Sequence, residues 1–268
     1  MLNSYCITSI GGRSYNEDSY TEFGSGAVRG FAVCDGLGGC GFGEIASKTV
    51  CRFLREEFDG EGSEVSDDDS TTGTGFDVEA RLSDALIKAE QALKELQKNN
   101  NAPRAYKTTL AAVAVCGDTA YIAHCGDSRV YHFADGKYAW RTRDHSLAQM
   151  FVLAGDIEEN EIRTCEDRSV LLHAMGSATE DFLFEMNVRT LSGLKSDAFI
   201  ICSDGFWEFV TGEDMQAELS ALSERGKLSP EEWLGALEAR LSGLENNDNY
   251  TAAALIITKE DEQIDSSL

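Results

Sequence analysis

Three aspartates fall where a carboxylate is hard to explain as ordinary surface charge. Asp35, Asp204 and Asp248 each lie against an apolar run that reads as a β-strand, in Val33-Cys34-Asp35-Gly36, Cys202-Ser203-Asp204-Gly205 and Asp248-Asn249-Tyr250. A carboxylate beside a buried strand is costly to desolvate unless paired or coordinated, and hard oxygen ligands are what Mg²⁺ and Mn²⁺ prefer. The glycines after Asp35 and Asp204 permit a tight turn and close backbone approach, so the carbonyl of Gly36 could supply one more oxygen. Any single Asp-Gly pair is most often a plain turn, as Asp135-Gly136 is read to be. The weight lies in three such carboxylates that could converge.

The elements that must hold them follow from hydrophobic periodicity. Residues 27–35 read as a buried strand ending at Asp35, and helical spacing of apolar residues predicts helices over 43–58 and from Asp77 to Leu96. Four strands are expected over 109–116, 120–125, 129–133 and 138–142, joined by Gly117-Asp118 and Asp135-Gly136 turns that make antiparallel hairpins. Residues 146–163 switch to helical spacing, strands resume at 183–189 and 198–202, helices follow at 212–222 and 230–241, and a last strand runs from 250 to 258. This order predicts an α+β fold, a four-layer α-β-β-α sandwich of two antiparallel sheets flanked by helices, with the aspartates at one rim. One domain is expected over 1–258, carrying a flexible acidic loop at 59–76, an inserted flap at about 146–176 and a polar tail at 259–268. The run Asp67-Asp68-Asp69 in that loop is read as solvated charge.

Composition narrows the class. A formal net charge of −24 argues against nucleic acid or an anionic membrane as partner, while excess carboxylate suits cations. Eight cysteines stand without CxxC pairs, mostly in apolar runs, which fits small core hydrophobes in a reducing compartment. Met1 to Tyr5 lacks a signal-peptide pattern and no stretch is long enough to cross a bilayer, so a soluble, cytoplasmic monomer is the expectation.

Six strings occur in fixed order: Gly12-Arg13-Ser14-Tyr15-Asn16-Glu17-Asp18-Ser19, Val33 to Gly39, Gly126-Asp127-Ser128-Arg129, Arg143-Asp144-His145-Ser146, Cys202 to Gly205 and Asp248-Asn249-Tyr250-Thr251. With them the chain resembles the type 2C metal-dependent protein serine/threonine phosphatases, their bacterial branch in particular, from about residue 8 to residue 257. The resemblance implies two Mn²⁺ or Mg²⁺ ions, bridged by Asp35, with the Gly36 carbonyl on one and Asp204 and Asp248 on the other. Glu17 and Asp18 would act through water or as outer acceptors, and Arg13 would grip the phosphate. Water activated between the ions would attack phosphorus in line with the leaving serine or threonine oxygen, without a phosphoenzyme. Asp127 matches a position that helps bind a third, weaker ion; the other reading makes it a turn acid paired with Arg129.

Departures from the family pattern bear on mechanism and specificity. Leu37 stands where eukaryotic relatives carry a histidine proposed to protonate the leaving group, so the general acid is unassigned. Cys40 replaces a histidine common in bacterial relatives, and Leu172-His173 replaces a Thr-Arg pair beside the flap. His124, His132, His145 and His173 are read as packed or hydrogen-bonded residues, and Thr108 and Thr109 as strand formers. The expected partner is a phosphorylated protein, set opposite a serine/threonine kinase. The competing readings are an inactive phosphoprotein-binding relative, or a phosphatase of a phosphorylated regulator or small phosphate ester.

Overall fold

The computed structural model describes residues 1–38, 42–59, 78–177, 183–244 and 247–259. Most of the acidic loop 59–76, Asp67 to Asp69, Cys40 and the tail beyond Lys259 lie outside these. The chain begins with β1 (Leu2–Ser9), β2 (Ser19–Phe23), β3 (Val28–Cys34) and the two-residue β4 (Gly36–Leu37), followed by α1 (Phe42–Asp59) and α2 (Val78–Asn99). Then come β5 (Lys107–Thr108), β6 (Leu110–Cys116), β7 (Thr119–Cys125), β8 (Arg129–Ala134) and β9 (Lys137–Arg141). The segment 146–176, read from sequence as a flap, holds α3 (Leu147–Ala154) and a 3₁₀ helix (Glu159–Thr164), and the chain continues through β10 (Glu185–Thr190), β11 (Ser196–Cys202), α4 (Asp204–Trp207), α5 (Gly212–Glu224), α6 (Pro230–Glu238) and β12 (Tyr250–Thr258).

Period-2 alternation sorts the side chains of each inner strand onto two faces. On β3, Phe31 and Val33 point between the sheets, where they meet Val113, Ile122, Phe199, Ile201 and Leu255. Its other face carries Ala32 and Cys34 into the layer under α1 and α2, with Val50, Leu54, Leu86 and Leu93. The opposite helical layer packs Trp233, Leu234 and Leu237 of α6 and Met215 and Leu219 of α5 on Phe133, Ile200 and Ala254. Two antiparallel five-stranded sheets result, ordered β1-β12-β11-β8-β9 and β10-β7-β6-β3-β2, and the expected four-layer sandwich is the observed one.

Besides the two-residue β4 and β5, the strands β1 and β2 are absent from the sequence-based expectation. The inward residues of β2 are Ser19, Thr21 and Phe23, and β1 is half-exposed along most of its length, so neither displays a hydrophobic alternation. The Asp135-Gly136 hairpin has both residues at positive φ, 48° and 76°. Asp135 does more than turn the chain, because its carboxylate accepts the backbone N–H groups of Leu194, Lys195 and Ser196 at 2.9, 2.7 and 3.1 Å.

The helical pattern over 146–163 divides in two. Ser146 caps α3 through the Gln149 N–H, and Gly155, at φ 80°, ends it before the 3₁₀ helix begins. The base of the flap is pinned by the Leu147 N–H on the Val170 carbonyl (2.9 Å), the Leu172 N–H on the His145 carbonyl (2.8 Å), and a Thr108–Met175 bridge. No helix among the described residues is long and apolar enough to cross a membrane.

Candidate active site

Turns at one rim of the sandwich place the carboxylates. Asp35 follows β3, Asp127 joins β7 to β8, Asp204 opens α4 after β11, and Asp248 precedes β12. Together with Glu17, Arg13 and Gly36 they line a cleft of about 450 Å³. Asp18 sits behind it, 7 % exposed, with Oδ2 accepting the Ser203 hydroxyl at 2.8 Å.

The backbone at Asp35 is fixed from three sides. Its N–H donates to Thr109 Oγ1 (2.9 Å), and its carbonyl accepts the Thr108 hydroxyl (2.8 Å) and the Thr109 N–H (2.8 Å). Thr109 Oγ1 also lies 2.6 Å from Ser128 Oγ, which joins the Asp35 turn to the Asp127 turn. These threonines, read from sequence as plain strand formers, are positioning residues; a hydroxyl pair beside an aspartate turn is the signal that could have marked them. Gly36 is required by packing, since a Cβ there would come within 2.3 Å of the Gly43 backbone.

Asn249 ties the opposite wall together. Its Oδ1 accepts the Glu17 N–H, and its Nδ2 donates to the carbonyls of Ile10 and Tyr15, each at 2.8 Å. The Arg13 loop is thereby held against Asp248, whose Oδ2 meets Arg13 Nη2 at 2.6 Å.

Asp127 is not paired with Arg129. The Arg129 guanidinium forms a bidentate bond with Asp144 (2.8 and 2.6 Å), supplied across the β8–β9 hairpin, and stacks over the Trp207 ring with its Cζ 3.4 Å from the centroid. Trp207 Nε1 donates to the Asp127 carbonyl at 2.9 Å, leaving the Asp127 carboxylate toward Asp204. The expected pairing of Asp127 with Arg129 is therefore not observed, and Asp127 lines the cleft from the β7–β8 turn.

Electrostatics set the demand for cations. Burial, followed by the charges of Asp204, Asp18, Asp127 and Asp248, pushes the Asp35 carboxyl far above the usual carboxylate range. Burial and then neighbouring carboxylates raise Asp127 and Asp204, and burial raises Asp18 against the lowering bonds from Ser203 and Thr251. Asp18 Oδ1 and Asp204 Oδ1 are buried without a hydrogen-bond partner among the described residues. Buried carboxylate oxygens that repel one another and lack donors fit divalent cations with oxygen ligands.

His124, His145 and Glu185 form a separate group at the flap base. Both Nε2 atoms approach Glu185 Oε2, at 3.9 and 3.5 Å, but the rings are stacked 4.6 Å apart at 16°, so one ion cannot lie in the planes of both rings. His124 Nε2 donates to the Arg143 carbonyl (3.0 Å), and His145 Nδ1 accepts the Gly126 N–H (3.1 Å), which puts the His145 proton on Nε2. The group is a hydrogen-bonded stack.

A profile of the protein phosphatase 2C family matches residues 9–242. The serine/threonine protein phosphatase PstP of Mycobacterium tuberculosis is 31 % identical over 202 residues, a match that takes in 75 % of this chain and 35 % of PstP. Protein phosphatase PhpP of Streptococcus pneumoniae is 25 % identical over 257 residues, covering 95 % of this chain and 97 % of PhpP. The crystal structure of the M. tuberculosis PstP phosphatase superposes with a TM-score of 0.73 at 25 % identity, over 96 % of this chain and 99 % of that one. A structure of the PstP catalytic domain in complex with two manganese ions gives 0.74 at 24 % identity, over 96 % and 98 %.

Proposed function

Because the chain belongs to the protein phosphatase 2C family, we propose that it hydrolyses phosphoserine and phosphothreonine on proteins with divalent cations held at the rim cleft. The observation that carries this is the convergence of Asp35, Asp204 and Asp248 on one cleft with Arg13 at its mouth. Asp35, the Gly36 carbonyl, Asp204 and Asp248 would hold two Mn²⁺ or Mg²⁺ ions, with Glu17 and Asp18 orienting them from outside and Asp127 available to a third. When bound, such ions acidify water and offset phosphate charge.

The protein's own groups do the rest. The planar Arg13 guanidinium reaches two phosphate oxygens and stabilises charge that grows in the transition state. Thr108 and Thr109 hold the Asp35 turn, and Asn249 holds the loop that carries Arg13. A water oxygen joins phosphorus, the bond from phosphorus to the serine or threonine oxygen breaks, and that oxygen takes a proton. No imidazole stands among the described lining residues, the general acid is unassigned, and the proton that the attacking water gives up balances the step. The protein would act in the cytoplasm as a signalling enzyme opposite a serine/threonine kinase.

Hydrolysis of a phosphothreonine peptide in ¹⁸O-labelled water with Mn²⁺ tests this reading. Label should enter the released phosphate, and acid quenching should trap no phosphorylated protein. A trapped phosphoenzyme, or no release at any metal level, would overturn it.

A further inference from the structure

Resting on the phosphatase reading, we propose that the cleft selects phosphorylated segments with an apolar side chain and basic residues flanking the phosphoresidue, and discriminates against acidic flanks. The carboxylates that line the cleft are the ones that would hold the divalent cations, and Arg13 is the single cationic side chain among its described lining residues. Arg13 is committed to the phosphate and to Asp248. Arg168, beside the lining residue Ser169, is tied to Glu208 at 2.6 Å. No uncommitted cationic side chain among the described lining residues therefore greets an acidic flank, and the chain as a whole carries a formal charge of −24, which two divalent cations would offset by only four. Like charge brought to such a surface slows encounter and weakens docking, and opposite charge does the reverse.

The apolar half of the preference comes from the cleft walls. Tyr15 stands 65 % exposed on one side, and Leu171 lines the flap side with Leu172 46 % exposed beside it. Both walls are held in place rather than hanging free. The Tyr15 carbonyl accepts Asn249 Nδ2, and Leu171 is bridged to Ser146 at the flap base while the Leu172 N–H bonds the His145 carbonyl. Leu37 is a further apolar residue of the lining. Fixed apolar groups lining a polar cleft on two sides give an incoming peptide something to bury beyond its phosphate.

Steady-state kinetics with Mn²⁺ on four phosphoserine peptides test this. One has leucine and lysine flanks, one leucine and glutamate, one alanine and lysine, and one only glycine, which reads the chemistry alone. The leucine-lysine peptide should exceed each of the other three in kcat/KM, roughly tenfold over the glycine peptide. Leu171→Ser and Tyr15→Ser should shrink the leucine-to-glycine ratio, mainly through KM. Equal kcat/KM for leucine-lysine and leucine-glutamate peptides, or ratios unmoved by both variants, would overturn the proposal while turnover of the glycine peptide left the phosphatase reading standing. No turnover of any of the four would overturn both.

Discussion

At the rim, oxygen atoms decide the chemistry. Asp35 is placed by a backbone clamp of two threonines, so its geometry depends on groups that touch no phosphate. Removing the hydroxyl in Thr109→Val leaves the half-buried Asp35 N–H without its acceptor and cuts the link to Ser128. The expected outcome is Mn²⁺ binding weakened roughly 10–100-fold in calorimetric titration, the range typical of lost ligand-orienting partners; unchanged affinity would deny Thr109 a positioning role. The alternation of strand and aspartate made Asp35, Asp204 and Asp248 legible as candidates, and the ordered motifs added Arg13, Glu17, Asp18 and Asp127. The partner of Arg129 was not legible, because Asp144 lies fifteen residues away and reaches it only through the β8–β9 hairpin.

Elements couple the cluster to the flap. The buried Arg129–Asp144 pair props Trp207, and Trp207 holds the Asp127 carbonyl. Breaking it in Asp144→Ala strands a buried guanidinium, although Arg141, which also reaches Asp144, would lose a contact too. Urea denaturation should register a loss of about 3–5 kcal/mol, and a loss under about 1 kcal/mol would mean that the pair is replaceable. At the flap base, burial, then His124 and His173, bring His145 down to about 4 against the pull of Glu185. A folded state that keeps this imidazole neutral binds fewer protons than the unfolded chain below about pH 6.5. The stability that His145 contributes is therefore full above that pH and is lost as pH drops toward 4. His145→Gln should flatten this acid slope in denaturation curves taken between pH 4.5 and 7, and an unaltered slope would place the titration elsewhere. The strands that sequence failed to predict, β1 and β2, pair at sheet edges and bury serine, threonine or half-exposed residues, so tertiary pairing and not pattern defines them.

For the whole molecule, net charge and fold work against each other. A chain of −24 gathers five carboxylates in one cleft, and their repulsion opposes folding until cations are present. Composition says only that excess carboxylate suits cations; convergence at the rim depends on strands distant in sequence. Binding to the folded state alone should raise stability by about 2.7 kcal/mol at a Mn²⁺ concentration 100 times its Kd. Thermal unfolding with Mn²⁺ against a chelator would register this as a higher midpoint, and Asp35→Asn should lose most of the difference. The layered core was legible because inner strands such as β3 send alternate residues to two different interiors. The most direct measurement of the central claim is phosphate release from a phosphothreonine peptide across a Mn²⁺ titration, for the wild type and for Asp204→Asn. The account predicts saturable release by the wild type, abolished by chelator, and release at least about 100-fold lower in Asp204→Asn; full wild-type release in the presence of chelator, or an Asp204→Asn variant as active as the wild type, would contradict it.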